Sequence, residues 1–156
     1  MASSAHQKSF FYTSDFMALV VVTVGVVLEY FLPTAVVAAN SIRFTITTFL
    51  LACGWLLLVV SKYQFREFQQ PSKPGVVTTA LVTKGIFSVY RNPMYQGVVL
   101  VVVAIGVGFD SWWVTSSSLV VLILLHYLLV IPEEQYLKEK FGRSYERYYQ
   151  QTRRWL

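Results

Sequence analysis

Between two long apolar runs lies a polar, aromatic stretch, Leu81 to Gly97, that reads L-V-T-K-G-I-F-S-V-Y-R-N-P-M-Y-Q-G. Within it, Tyr90-Arg91-Asn92-Pro93 places a cation and an amide at a helix N-terminus, where backbone N–H groups also point outward. A carboxylate or phosphate suits that arrangement; so does an ordinary basic flank with a helix cap. Asn92 reads as the N-cap, Pro93 as a first-turn residue, and Gly85 as a tight turn. A second cluster, Pro132-Glu133-Glu134, follows the last apolar run. Proline with acids in the first turn is a common helix start. Here, however, the acids sit where a helix leaves the bilayer, and acids there are costly unless solvated or paired. His126 precedes Glu133 by seven residues, which is two helical turns on one face if Pro132 only kinks the helix. A histidine at that depth needs a partner, either a neighbouring helix or the site itself. The two clusters are expected to meet and form the chemical site. No metal site is expected, because no Cys/His set has zinc spacing. Cys53 is the single cysteine, so no internal disulfide can form.

The elements that must position these residues are membrane helices. Apolar runs predict spans over about 16–33, 43–61, 93–109 and 112–131, followed by an amphipathic tail over 132–156. The fold class is therefore all-α, an integral membrane bundle in one domain. The first run holds Gly25 and Glu29 and ends at Pro33; Glu29 is placed at the headgroups. A signal peptide competes for this run, with small residues at Val37-Ala38-Ala39, but the run is long and its flank carries one lysine. Met1 to Asp15, with His6 and Lys8, reads as a frayed tail or short interfacial segment. In the second run Ser41 reads as the N-cap, Thr45, Thr47 and Thr48 can bond helix carbonyls or a neighbouring helix, and Gly54 permits close packing. Phe65 and Phe68 suggest a helix end riding on the interface. Pro71-Ser72-Lys73-Pro74-Gly75 breaks any helix. Gly97, Gly106 and Gly108 permit close packing in the third run. Gly106-Val107-Gly108 lacks the strand–turn–helix setting of a dinucleotide loop. Trp112-Trp113 sits at interface depth.

Composition agrees. The chain is 55% hydrophobic and 13% charged, with a mean hydropathy of +0.52, against roughly 25% charged residues in soluble domains. The net charge of +5 is read as lipid-facing and topological, not as a nucleic-acid surface. Four spans leave Arg43 alone on one side and the other 12 lysines and arginines opposite it. That bias predicts cytoplasmic termini, with the stretch around Arg91 and the glutamate pair on the same face.

The pattern L-V-T-x-G-I-F-x-x-x-R-N-P-M-Y-x-G, one helix, and then E-E-x-x-L-x-x-x-F-G-x-x-Y-x-x-Y-x-x-x-x-R-R-W-L resembles the isoprenylcysteine carboxyl methyltransferase family, whose relatives include phospholipid methyltransferases. The likeness covers roughly Phe65 to Leu156. It implies a helical membrane enzyme that uses S-adenosylmethionine without a Rossmann domain. The cofactor pocket would lie between the helix-connecting segment and the C-terminal region. By position, Leu81 and Val82 would line that pocket. Phe87 stands where the prenylcysteine enzymes usually have tyrosine. Asn92, Pro93, Met94 and Tyr95 match a His-Pro-x-Tyr segment, and Glu133 matches the cofactor-binding glutamate. Leu129 replaces an arginine that those enzymes associate with the substrate carboxylate.

The activity implied is methyl transfer to a lipophilic small molecule or lipid from the bilayer, whether carboxylate, amine or thiol. Arg91 would orient the acceptor or the cofactor carboxylate, and an amine acceptor would need His126 or Glu134 as base. A sterol-reductase-like enzyme using NADPH, or a helical scaffold without turnover, are the alternatives.

Overall fold

The computed structural model describes residues 14–36, 39–70 and 78–155. The tail with His6 and Lys8, the Val37-Ala38 part of the cleavage reading and the break at Pro71 to Gly75 lie outside those residues. Among the described residues, six α-helices follow in order: α1 (Ser14–Phe31), α2 (Asn40–Glu67), α3 (Pro93–Gly108), α4 (Trp112–Leu125), α5 (Ile131–Phe141) and α6 (Arg143–Gln151). A 3-10 turn, Gly85–Ser88, precedes α3, and a π turn, His126–Val130, joins α4 to α5. The described residues form no β-sheet; a single parallel bridge pairs Tyr90 with Arg153.

The all-α membrane class is as expected. Among the described residues, three helices are long and apolar enough to cross a bilayer: α1, α2 and the continuous rod Trp112–Phe141. The remaining expected span, α3, has 16 residues. That is about 24 Å at about 1.5 Å per residue, short of a hydrocarbon core of about 30 Å. α3 is the most enclosed helix, packed against α2, α4 and α1. Its neighbours, not lipid, cover much of its surface. Tyr95, Val98 and Val102 of α3 form the core with Met17 and Ala18 of α1 and with Val121, Leu125 and Leu129 from the long rod. The α2–α3 crossing is closed by a glycine pair. A Cβ on Gly97 would lie 2.8 Å from Gly54 O, and one on Gly54 would lie 3.0 Å from Gly97 O. Small residues allow this backbone approach, which supplies the contact that drives helix association in lipid.

Two local expectations change. α2 starts a residue before Ser41, with Ala39 as an extended N-cap that makes no side-chain cap bond. Ser41 therefore lies inside the first turn, and its carbonyl accepts from Thr45 Oγ1 at 2.9 Å. Pro132 does not end the rod. A proline ring clashes with the carbonyl four residues earlier and offers no N–H. The π turn just before Pro132 widens the backbone there and absorbs the mismatch.

The bundle end remote from Arg91 is fastened by side chains. Glu29, expected at the headgroups, accepts from Thr34 N at 2.6 Å, from Thr34 Oγ1 at 2.8 Å and from the Ser111 hydroxyl. Arg43 donates to Asp110 Oδ2 at 2.7 Å, and Trp113 Nε1 donates to Leu32 O at 2.8 Å. These bonds tie the segment after α1 to the α3–α4 turn. They fix the helix order that places the glutamate pair beside α3.

Candidate active site

The segment entering α3 is shaped by Gln64 of α2 and by Gln70, just beyond the end of that helix. Gln70 Oε1 accepts from Thr79 N at 2.7 Å and from Ala80 N at 3.1 Å. Gln64 lies over Gly85, whose φ is +58°, so tightly that a Cβ there would be 1.7 Å from its Nε2. Glycine supplies both the left-handed backbone and the space. The following 3-10 turn buries Phe87, which meets Phe65 edge-to-face at 5.0 Å. Phe65 thus forms part of the site wall.

Asn92 and Pro93 take the cap and first-turn positions of α3, but the Asn92 side chain does not cap. Its Nδ2 donates instead to Arg154 O at 3.4 Å. One turn further on, the buried Tyr95 donates its hydroxyl to Glu133 Oε2 at 3.0 Å. The two clusters expected to meet do so.

Glu134 is held by two arginines. Arg91 Nε donates to its Oε1 at 3.2 Å. Arg154 donates through Nε to Oε1 at 3.0 Å and through a terminal nitrogen to Oε2 at 2.6 Å. The Arg91 side chain is only 7% exposed and that of Glu134 11%, so the ions are shielded from water and the pairing compensates their burial. Arg91 also donates to the carbonyls of Tyr149, at 2.8 Å, and Thr152, and lies 4.1 Å from the centre of the Tyr149 ring. The backbone adds Arg91 N to Arg153 O at 2.8 Å and Arg153 N to Val89 O at 2.9 Å.

Above these groups opens a cleft of about 500 Å3, counting the space continuous with solvent. Of the candidates, Leu81, Val82, Phe87 and Asn92 line it, together with Arg91, Glu133 and Glu134. Pro93, Met94 and Tyr95 are not on its wall; Tyr95 acts on it through Glu133. His126 is not on the wall either. The π turn between His126 and Glu133 breaks the 3.6-residue register that would have aligned them. The His126 ring lies 6.0 Å from that of Trp155, and its Nδ1 has no partner among the described residues. Leu129, 1% exposed, is part of the core.

Of the other wall residues, Leu137, Tyr145 and Tyr148 belong to the C-terminal pattern that carries the family resemblance, whereas Thr78 and Ala80 were not singled out from sequence. Leu137 stands four residues after Glu133, and Tyr145 and Tyr148 share one face of α6. Helical spacing from Glu133 reaches Leu137, whereas Gly142, with φ of +50°, breaks the register between the glutamate pair and the tyrosines of α6. Tyr148 donates to Phe87 O at 2.8 Å, joining α6 to the segment before α3. Burial pushes the phenols of Tyr145 and Tyr148 well above the usual tyrosine range, with the Glu134 charge adding to the effect and Arg91 opposing it. Both remain neutral donors at physiological pH. Hydrogen bonding to Glu134 raises Arg154 in turn, keeping it charged.

The arrangement offers carboxylates, an amide and exposed backbone on an aromatic wall, which suits a cationic ligand with a flat ring system. The model of the phospholipid methyltransferase family matches residues 42–144. No curated protein and no solved structure matches the chain.

Proposed function

This chain belongs to the phospholipid methyltransferase family, and from that premise we propose that it transfers a methyl group from S-adenosylmethionine to a lipophilic acceptor drawn from the bilayer. The observation that carries the reading is the bond from Tyr95 to Glu133 at the cleft wall. It brings the cap of α3 and the start of α5, far apart in sequence, into one binding surface.

The residues present fit the cofactor. Glu133 would hold its ammonium or ribose hydroxyls, and Asn92 with the backbone of Leu81 and Val82 would hold its adenine or carboxylate. The rings of Phe65, Phe87, Tyr145 and Tyr148 suit both a cationic sulfur and a stacked base. S-adenosylmethionine, once bound, supplies a methyl group on a positively charged sulfur. The chain's part is to position the acceptor and exclude water.

Arg91 and Arg154 both bond Glu134, and Leu129 is apolar. This distribution favours an uncharged or amine acceptor over a carboxylate, which would draw on a guanidinium. An amine must lose a proton to a base. Both oxygens of Glu134 accept from guanidiniums and His126 stands off the cleft wall, so neither is placed as that base. The excess of lysine and arginine on the cleft side supports a site on the cytoplasmic face.

The test uses purified full-length protein in detergent. Saturable binding of S-adenosylmethionine is expected, with Glu133→Ala and Asn92→Ala weakening it by well over tenfold. Incubation with methyl-labelled cofactor and a total lipid extract should label a lipid, whose identification names the acceptor. Absence of saturable binding by the wild-type protein overturns the reading.

A further inference from the structure

The knot at Glu134 joins three charged side chains, and one of them, Arg154, lies on the segment that follows α6. Arg154 follows the segment that pairs with the strand-like residues before α3: Arg153 exchanges backbone bonds with Val89 and Arg91. From there Arg154 reaches back to α5 and grips both oxygens of Glu134, while its own carbonyl accepts from Asn92. Next along the chain, Trp155 packs against the core beside His126. Glu134 and Asn92 face the cleft, whereas Arg154 is not on its wall. Arg154 therefore contacts two wall residues from outside the cleft.

We propose that Arg154 is a positioning residue that couples docking of the C-terminal segment to occupancy of the cleft. This rests on the functional reading above and extends it. Two wall residues, Asn92, which would touch the cofactor, and Glu134, the neighbour of Glu133, are oriented by one residue of the tail. The planar fork of arginine fits a carboxylate at two points, a match that the point charge of lysine reproduces only in part. If a docked tail improves ligand binding, bound ligand must by linkage hold the tail down by the same factor. Residues 152–155 then act as a clasp that is tighter with the cleft filled than empty.

The experiment uses the full chain in detergent and S-adenosylhomocysteine as the probe. Affinity is measured by calorimetry for the wild type, Arg154→Gln and Arg154→Lys. In parallel, carboxypeptidase release of the C-terminal residues from the wild type is timed with and without the probe. The second measurement needs no variant, so a folding defect in Arg154→Gln cannot obscure the result. Expected are at least a tenfold loss of affinity in Arg154→Gln, partial recovery in Arg154→Lys, and at least tenfold slower release with the probe bound. A purely structural contact would leave the release rate unmoved by ligand. Wild-type binding with less than a threefold loss in Arg154→Gln, or with release unchanged by the probe, overturns the coupling and leaves the methyltransferase reading standing. No binding by the wild type overturns both.

Discussion

Tyr95 and Glu133, 38 positions apart, are joined by a hydroxyl-to-carboxylate bond of 3.0 Å. It connects the first turn of α3 to the first turn of α5 at the cleft wall. A hydrogen bond to a charged group is worth about 1.5–3 kcal/mol. Tyr95→Phe keeps the ring and removes the donor. We expect cofactor affinity to fall by about tenfold or more, with the helical circular-dichroism signal unchanged. Equal affinity in calorimetry would show that the bond does not serve the site.

Gly85 is expected to tolerate no side chain. Its φ of +58° costs an L-residue about 1–2 kcal/mol, and a Cβ would collide with the Gln64 amide. Gly85→Ala should lower the thermal midpoint and displace Phe87, so cofactor binding falls with stability. Thermal melting and calorimetry of the same preparation check both.

Gln96, 5% exposed, has neither amide atom paired among the described residues. An unsatisfied buried polar group costs about 1–3 kcal/mol. Gln96→Leu is therefore expected to raise stability by about 1 kcal/mol or more. A lower midpoint in the melting curve would refute this.

Alkaline pH should loosen the α6 side of the cleft. Tyr145 and Tyr148 have phenols raised by burial in the folded state, against about 10 when unfolded. Their stabilising contribution is complete below pH of about 10. Above it the unfolded state sheds protons that the folded state keeps, so stability falls as pH rises, by about 1.4 kcal/mol per unit for each phenol. Melting curves of the wild type between about pH 9 and pH 11 should show this slope, and Tyr148→Phe should reduce it. A flat profile would refute the assignment.

The helical class and the helices themselves were legible because apolar runs of span length admit few alternatives in a bilayer. The clustering of Arg91, Asn92 and Glu133 was legible because charge bias assigns the flanks to one side. Other features were not legible. Ser41 carries the composition of a cap, yet α2 begins before it, since a helix boundary depends on where the preceding chain turns away. The seven-residue spacing from His126 to Glu133 predicts a shared face only for a uniform α-helix, and the π turn that accommodates Pro132 undoes it.

The kind of molecule is written in the sequence: hydropathy locates the apolar helices, and local residue types set the turn at Gly85 and the acidic start of α5. What the charged residues do is settled by packing in three dimensions. Arg91, which alone reads as an anion anchor, bonds Glu134 and the C-terminal carbonyls, and Arg154, which alone reads as one more basic residue of a tail, completes that knot. The physical reason is that a buried charge is settled by whichever opposite charge packing delivers to it. That depends on contacts between residues 20 and 43 positions apart, beyond the reach of any local pattern.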